Sequence, residues 1–207
     1  MTAAPSRADR RRERTRAALV AAAQVLLAEG RTHAAVLEIT QLADVGQGTF
    51  YNHFTDKAEL FDAAVEDALE RHGALLDELT ASIDDPAVVF AHSLRLTGRL
   101  YRLEPELSQV LLNSGLNLIL LDHGLGPRAL RDIKAGVAVG RFRVADTHVA
   151  LTAVGGAILA LGALLHAEPE RDVDAASDVL TADILRMLGL SDDEAARLVA
   201  LPLPALR

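Results

Sequence analysis

The fold of this chain is decided by residues 46–54, Gly46-Gln47-Gly48-Thr49-Phe50-Tyr51-Asn52-His53-Phe54. Phe50 and Phe54 stand four positions apart, so on a helix they share one face and can anchor it in a core. The preceding segment, 36–43, carries apolar residues at helical spacing, and Asp44-Val45-Gly46 interrupts that spacing. Two short helices joined by a tight turn predict a helix-turn-helix, whose second helix enters the DNA major groove.

The polar residues of the same segment have side chains suited to DNA. Gln and Asn can bond adenine bidentately, and a Thr methyl can contact thymine. Tyr and His can donate to phosphate oxygens, a glycine lets backbones approach, and a Lys opening the next helix adds charge to its positive end. A plain core patch would explain the two phenylalanines but not these polar groups. We therefore predict DNA contacts at Gln47, Gly48, Thr49, Tyr51, Asn52, His53 and Lys57.

The segment resembles the TetR/AcrR family of transcriptional regulators. The resemblance covers residues 15–65 and includes the run Gly48-Thr49-Phe50-Tyr51, with His53, Phe54 and Lys57 at fixed offsets. Three positions depart from the family pattern. Gly46 replaces a capping Ser, Asp44 replaces a turn glycine, and Ala35 replaces a capping Thr or Ser that touches phosphate. One phosphate contact is therefore expected to be missing.

The resemblance implies an all-α protein with an N-terminal three-helix DNA-binding domain and a C-terminal helical domain for ligand binding and dimerisation. We place the DNA-binding domain at residues 15–61, its helix-turn-helix at about 35–54, and the regulatory domain at 62–207. The abundance of Ala and Leu and the lack of period-two alternation also favour helices. The implied function is a homodimeric repressor that a small hydrophobic effector releases from a palindromic double-stranded operator.

The charge of the chain is uneven. Its formal net charge is −8, yet six arginines fall within residues 7–16. Such a segment can track phosphates or enter a minor groove, whereas the alternative is a solvated tail. We keep both possibilities, and expect residues 1–14 to be a basic arm that is disordered when free and partly ordered on DNA. Arg14 and Arg16 are the predicted DNA contacts of this region.

The cellular compartment is inferred from three features that the sequence lacks: cysteine, a signal peptide and a membrane-spanning run. It contains no cysteine, which is compatible with a reducing cytosol. Gln24 interrupts the apolar run after the arginines, so we do not interpret that run as a signal peptide. Residues 149–165 carry no Asp, Glu, Lys or Arg, but this run is shorter than the ~20 residues that span a bilayer. We expect a cytoplasmic, nucleoid-associated protein with no membrane partner.

Two sets of polar residues are candidates for the effector site. His92, Arg95 and Arg99 share one face of a helix at 86–103, which could be a solvated face, the interpretation we favour, or an anion-binding wall. Gln109, Asn113 and Asn117 form a stripe at i, i+4 and i+8, which could line a pocket or face water equally well.

The dimer interface is predicted near the C-terminus. Residues 149–165 are apolar on all sides, which predicts burial, and their glycines allow close helix approach. A further amphipathic helix follows at about 171–188, so two such helices from each chain could form a four-helix interface. The predicted interface residues are Gly155, Gly156, Leu159, Gly162, Val173, Leu180, Ile184 and Met187.

Catalytic motifs are missing from the sequence. It has no Gly-rich phosphate loop, no metal-ligand spacing and no Gly-x-Ser-x-Gly elbow. We therefore predict no catalytic residue, no metal and no cofactor. The rival hypothesis is a helical-bundle enzyme or ligand carrier whose helix-turn-helix is incidental.

Overall fold

A computed structural model describes residues 6–121 and 123–204, apart from the side chains of Glu106, Asn117, Leu118 and Leu120. Every regular element in the described ranges is helical, which confirms the all-α prediction. The α-helices are α1 Arg7–Ala28, α2 Val36–Leu42, α3 Gln47–Phe50, α4 Lys57–Thr80, α5 Pro86–Leu103, α6 Pro105–Ser114, α7 Leu125–Ala138, α8 Thr147–Ala167, α9 Val173–Met187 and α10 Asp192–Val199. A 3₁₀ helix, Gly115–Leu120, follows α6.

The chain divides into two compact units. The first ends at Ala68 and the second begins at Leu69, so α4 contributes residues to both. The division falls a few residues beyond residue 61, where the sequence placed the end of the DNA-binding domain.

The first helix begins earlier than the sequence suggested. The hydroxyl of Ser6 accepts from the Asp9 amide, and the Asp9 carboxylate accepts from the Ser6 amide, which is a capping box. α1 therefore starts at Arg7, and residues 7–14 are helical instead of a disordered arm. Residues 1–5 of the expected arm lie outside the described residues.

The second unit is built around α5, which contacts α6, α7, α8, α9 and α10. Asp85 caps α5 by accepting from the Ala87 amide, and Pro86 occupies the first position, where its missing N–H costs nothing. The rings of Phe90 on α5 and Phe142, which follows α7, meet edge to face with centroids 5.6 Å apart. These two rings lie in the core of the unit.

The most apolar helix, α8, differs from the sequence-based expectations in its length and in its burial. It runs over 21 residues with a mean hydropathy of 2.0 in its most apolar window, so by length and composition alone it could cross a membrane. The uncharged run had been judged too short for this. Only 33% of that window is buried, although we predicted burial on all sides. One side of α8 contacts α5, α7 and α9, and the other side is exposed.

Candidate DNA-binding surface and ligand cavity

The turn between α2 and α3 depends on Asp44. Its φ is 52°, and among the described residues it is the only non-glycine with a positive φ. Asp tolerates this left-handed region better than most residues, so it can take the place of the turn glycine that the family resemblance implied. The Val45 amide donates to the Thr40 carbonyl over 3.0 Å and closes the turn. Neither Gly46 before α3 nor Ala35 before α2 makes a side-chain cap bond.

The two phenylalanines hold the second helix as predicted. Phe50 is completely buried and Phe54 nearly so, and their ring centroids lie 6.0 Å apart. The regular α-helix ends at Phe50, earlier than the sequence suggested. Helix-like hydrogen bonds continue beyond it, because the amides of His53 and Phe54 both donate to the Phe50 carbonyl. The Arg16 guanidinium carbon lies 5.1 Å from the centroid of the Phe54 ring, which is cation–π distance.

The polar residues of this segment face outwards. Gln47, Gly48, Tyr51 and Asn52 are exposed, and Thr49 and His53 are half-buried. A Cβ added to Gly48 would meet no atom within 4 Å, so nothing in this chain requires glycine there. Burial lowers the pKa of His53, and the nearby Arg12 and Arg16 lower it further. The ring is therefore neutral near pH 7, where it can bond but adds no charge.

The three predicted basic contacts differ in their surroundings. Lys57 is half-buried, and its Nζ donates to the carbonyls of Ala34 over 3.0 Å and His33 over 3.4 Å. It therefore ties the start of α4 to the loop before α2, a role that the sequence analysis missed. Arg14 and Arg16 are exposed on α1.

The second unit contains a cavity of about 110 Å³. Its walls come from α4, α5, α6, α7, α8 and the 3₁₀ helix, and most of its lining side chains are apolar. One part of the lining is charged, with Asp77 on α4 and Arg128, Arg131 and Asp132 on α7. Helical spacing does not bring Asp77 together with the other three, because α4 and α7 are far apart in the chain.

Among the candidates whose side chains the structure describes, none lines this cavity. Arg95 and Arg99 instead form ion pairs with α9: Arg95 Nε lies 2.7 Å from Asp178 Oδ1, and Arg99 Nε lies 2.7 Å from Asp174 Oδ1. The favoured solvated face is also wrong for Arg95, which is buried and donates to the Leu201 carbonyl.

His92, Gln109 and Asn113 are also absent from the cavity lining. His92 is buried with neither ring nitrogen hydrogen-bonded, and burial and Arg95 lower its pKa. Gln109 bonds the His166 ring in a partly exposed contact over 2.8 Å, and Asn113 is exposed. The side chain of Asn117 lies outside the described ones.

Several residues predicted for the dimer interface face their own protomer. Gly155 and Leu159 line the cavity, Gly162 lies against the Tyr101 ring, and Ile184 belongs to the core. Helical spacing predicted the helices but did not show which side of each faces outward.

Other positions on α8 and α9 are at least partly exposed to solvent. Nothing would meet a Cβ at Gly156, Val173 and Leu180 are half-buried, and Met187 is exposed. The other large exposed apolar residues on these helices are Val149, Leu164 and Val179.

A helix-turn-helix unit followed by a larger helical unit that holds a cavity is the architecture of a one-component transcription regulator. Residues 18–64 match the family model described as bacterial regulatory proteins, tetR family, and residues 85–200 match the tetracyclin repressor-like C-terminal domain. The chain belongs to the TetR family of DNA-binding transcription regulators. This membership favours the regulator over the helical-bundle enzyme or carrier.

Solved structures agree with this assignment. The chain is similar to RolR without ligand, with 34% identity over 92% of this chain and 100% of that one and a TM-score of 0.74. RolR in complex with resorcinol has the same identity over 95% and 98% and a TM-score of 0.67. NalD, a repressor of a multidrug efflux pump in Pseudomonas aeruginosa, shares the fold at 20% identity over 86% and 96%, with a TM-score of 0.61. No curated protein sequence matches the chain.

Proposed function

We propose that this protein is a homodimeric repressor that binds a palindromic operator and leaves it when a small molecule fills the cavity. It would act in the cytoplasm, at the nucleoid. The observation that carries the proposal is the α3 segment, where exposed polar side chains stand on two buried phenylalanine rings. A short helix that is anchored on its buried side and polar on its exposed side is suited to the major groove.

The DNA-contacting residues are those the sequence singled out. Gln47 and Asn52 would read bases, and Tyr51 and His53 would donate to phosphates. The open space around Gly48 supports close approach of a backbone from outside the chain. Arg14 and Arg16 on α1 would add phosphate contacts.

The dimer would form through the exposed sides of α8 and α9. An open groove of about 520 Å³ runs between them. Its lining is mostly small and apolar, as at Ala160, Leu164 and Val179, and it also contains Arg171, Asp172 and Asp183. Two helices from each chain would then form a four-helix interface, which would hold the two α3 segments about 34–36 Å apart. Leu164 and Val179 would take the place of the inward-facing residues, and Met187 would stay in the interface.

The effector would act by changing that spacing. A ligand that favours one conformation lowers DNA affinity only by its differential affinity for the two conformations. The cavity supports such a ligand, and RolR, which is 34% identical, has been crystallised with resorcinol.

The test is selection of bound duplexes from a random DNA pool. Enrichment of a palindrome with salt-sensitive affinity would support the proposal. No enrichment at low salt would overturn it.

A further inference from the structure

The cavity in the second unit is the size of one small ring. Its volume is about 110 Å³, and its apolar wall includes Phe90, Leu94, Leu111 and Leu151. An engineered apolar cavity of about 150 Å³ is known to hold benzene. The space therefore suits a single six-membered ring and is too small for fused rings or a long acyl chain.

The charged part of the wall is already balanced. Arg128 Nε and Arg131 Nη2 each lie 2.8 Å from an oxygen of Asp77, and Arg131 Nε lies 2.8 Å from Asp132 Oδ1. Arg128 also bonds Glu70 just outside the cavity. Two carboxylates and two guanidiniums sum to zero on the wall itself, and Glu70 makes the surroundings negative. An anionic ligand would lose its hydration without gaining an uncompensated positive charge.

Two hydroxyl groups of the wall already donate their protons within the chain. The Tyr101 hydroxyl donates to the Ile158 carbonyl over 3.0 Å, and the Thr97 hydroxyl donates to the Ser93 carbonyl over 2.8 Å. A hydroxyl has one proton to give, so a ligand must find its donors among the guanidiniums and the Ser93 hydroxyl, which also lines the cavity. Its acceptors are the Asp77 and Asp132 carboxylates, each of which has several lone pairs. Burial raises the pKa of Asp132, a sign that this carboxylate lacks the hydration it would have in water.

We propose that the effector is an uncharged single-ring compound that carries one or two hydroxyl groups. The ring lies among the apolar side chains, and a hydroxyl donates to Asp132 or Asp77 while it accepts from Arg131. A phenolic hydroxyl is both donor and acceptor, which matches a wall made of carboxylates and guanidiniums. This inference rests on the proposed function, because it takes the cavity to be the effector site.

The test is calorimetric titration of the full chain with three probes. They are 1,3-dihydroxybenzene, which is resorcinol, benzoate as an anion on the same ring, and decanoate as an acyl chain. We expect the dihydroxybenzene to bind one per protomer, and the two anions to bind at least about tenfold more weakly.

Variants locate the site. Arg131→Gln and Asp132→Asn are each expected to weaken dihydroxybenzene binding by at least about tenfold. The matched control is Arg197→Gln, since Arg197 and Arg131 have similarly exposed side chains, 59% and 55%. Arg197 pairs with Glu194, and neither residue lines the cavity. The control should keep the wild-type affinity. If the buried Asp132→Asn variant fails to fold, as judged by circular dichroism, the exposed Arg131→Gln variant decides.

The inference is overturned if the dihydroxybenzene fails to bind, if either anion binds as tightly, or if Arg131→Gln behaves like Arg197→Gln. DNA binding is measured separately, by fluorescence anisotropy with the selected operator and no ligand. Loss of that binding refutes the proposed function itself. A chain that binds the operator but releases it only with benzoate or decanoate refutes this inference alone.

Discussion

The Tyr51 ring stands edge-on to the Phe50 ring, with the centroids 5.1 Å apart and the planes at 78°. Phe50 is completely buried and Tyr51 is 62% exposed, so two adjacent aromatic residues have opposite surroundings. Phe50 fixes the α3 segment from inside, and its ring in turn orients Tyr51 at the surface. Phe50 is therefore expected to matter for the stability of the fold and Tyr51 for DNA contact. The first two predictions test this difference.

Tyr51→Ala is expected to abolish operator binding at moderate salt and to leave the dimer intact. The variant removes a ring and a hydroxyl that would meet phosphate, but little buried area. Fluorescence anisotropy measures the binding, and sedimentation measures the dimer. Tyr51→Phe keeps the ring contact and should lose only part of the affinity. Unchanged binding by Tyr51→Ala would count heavily against the assigned surface.

Phe50→Ala is expected to lower the free energy of unfolding by about 3–5 kcal/mol, because it empties a fully buried position. Urea denaturation measures this change. Tyr51→Ala is the neighbouring control and should cost far less, since the ring is mostly exposed. Equal losses for the two variants would contradict the different burial of the two rings.

Val179→Glu is expected to convert the dimer into a monomer, because it places a carboxylate in the apolar side of α9. Light scattering after size-exclusion chromatography measures the mass. Val139, which follows α7, is equally exposed at 64% and lies outside the α8–α9 surface, so Val139→Glu should remain dimeric. A monomeric Val139→Glu, or a dimeric Val179→Glu, would contradict the assigned interface.

His72 should make folding sensitive to mild acid. Burial lowers its pKa from 6.5 to about 4. Thr97 donates its only hydroxyl proton to Ser93, so His72 Nε2 donates to Thr97 and Nδ1 is left without a partner. The unfolded chain therefore takes up a proton below pH 6.5 that the folded chain refuses. The stabilisation is complete above pH 6.5 and is lost as the pH falls towards 4, by about 3 kcal/mol.

Urea denaturation between pH 4.5 and 7.5 measures this slope. His72→Gln keeps a donor for Thr97 and should flatten it. His148, which is exposed at the start of α8, provides the control, and His148→Gln should keep the wild-type slope. The same slope in all three proteins would refute the role of His72.

Arg14→Gln is expected to weaken operator binding uniformly across sequences and to lower the slope of log affinity against log salt by about 1. The exposed Arg14 side chain would neutralise one phosphate in the complex. Arg197→Gln again serves as the control for the loss of an exposed charge. If the salt slope of Arg14→Gln were unchanged, Arg14 on α1 would not contact a phosphate, which contradicts the assigned surface.

The sequence predicted the parts of the fold that depend on local spacing. Phe50 and Phe54 identify their buried face because they stand one helical turn apart, and Asp44 marks the turn because few other residues accept its backbone conformation. The capping box of Ser6 and Asp9 is also a local signal, and it contradicts the expectation that residues 1–14 form an arm. These features involve residues at most four positions apart.

The effector cavity could not be predicted in this way. Helical periodicity shows which residues share a face but not which element covers that face. Arg95 was a candidate ligand residue, and its partner Asp178 comes 83 positions later. Asp77 and Arg128, which do line the cavity, are 51 positions apart. Only the packing of α4, α5, α7, α8 and α9 decides which side chains meet.

The central claim is that two α3 segments bind successive major grooves of one palindrome. The most direct measurement is the affinity of the protein for the selected operator before and after about 5 base pairs, half a helical turn, are inserted between its half-sites. Because the insertion rotates one half-site to the opposite side of the duplex, the account predicts a fall to the affinity of a single half-site. Equal affinity for the two duplexes would contradict it.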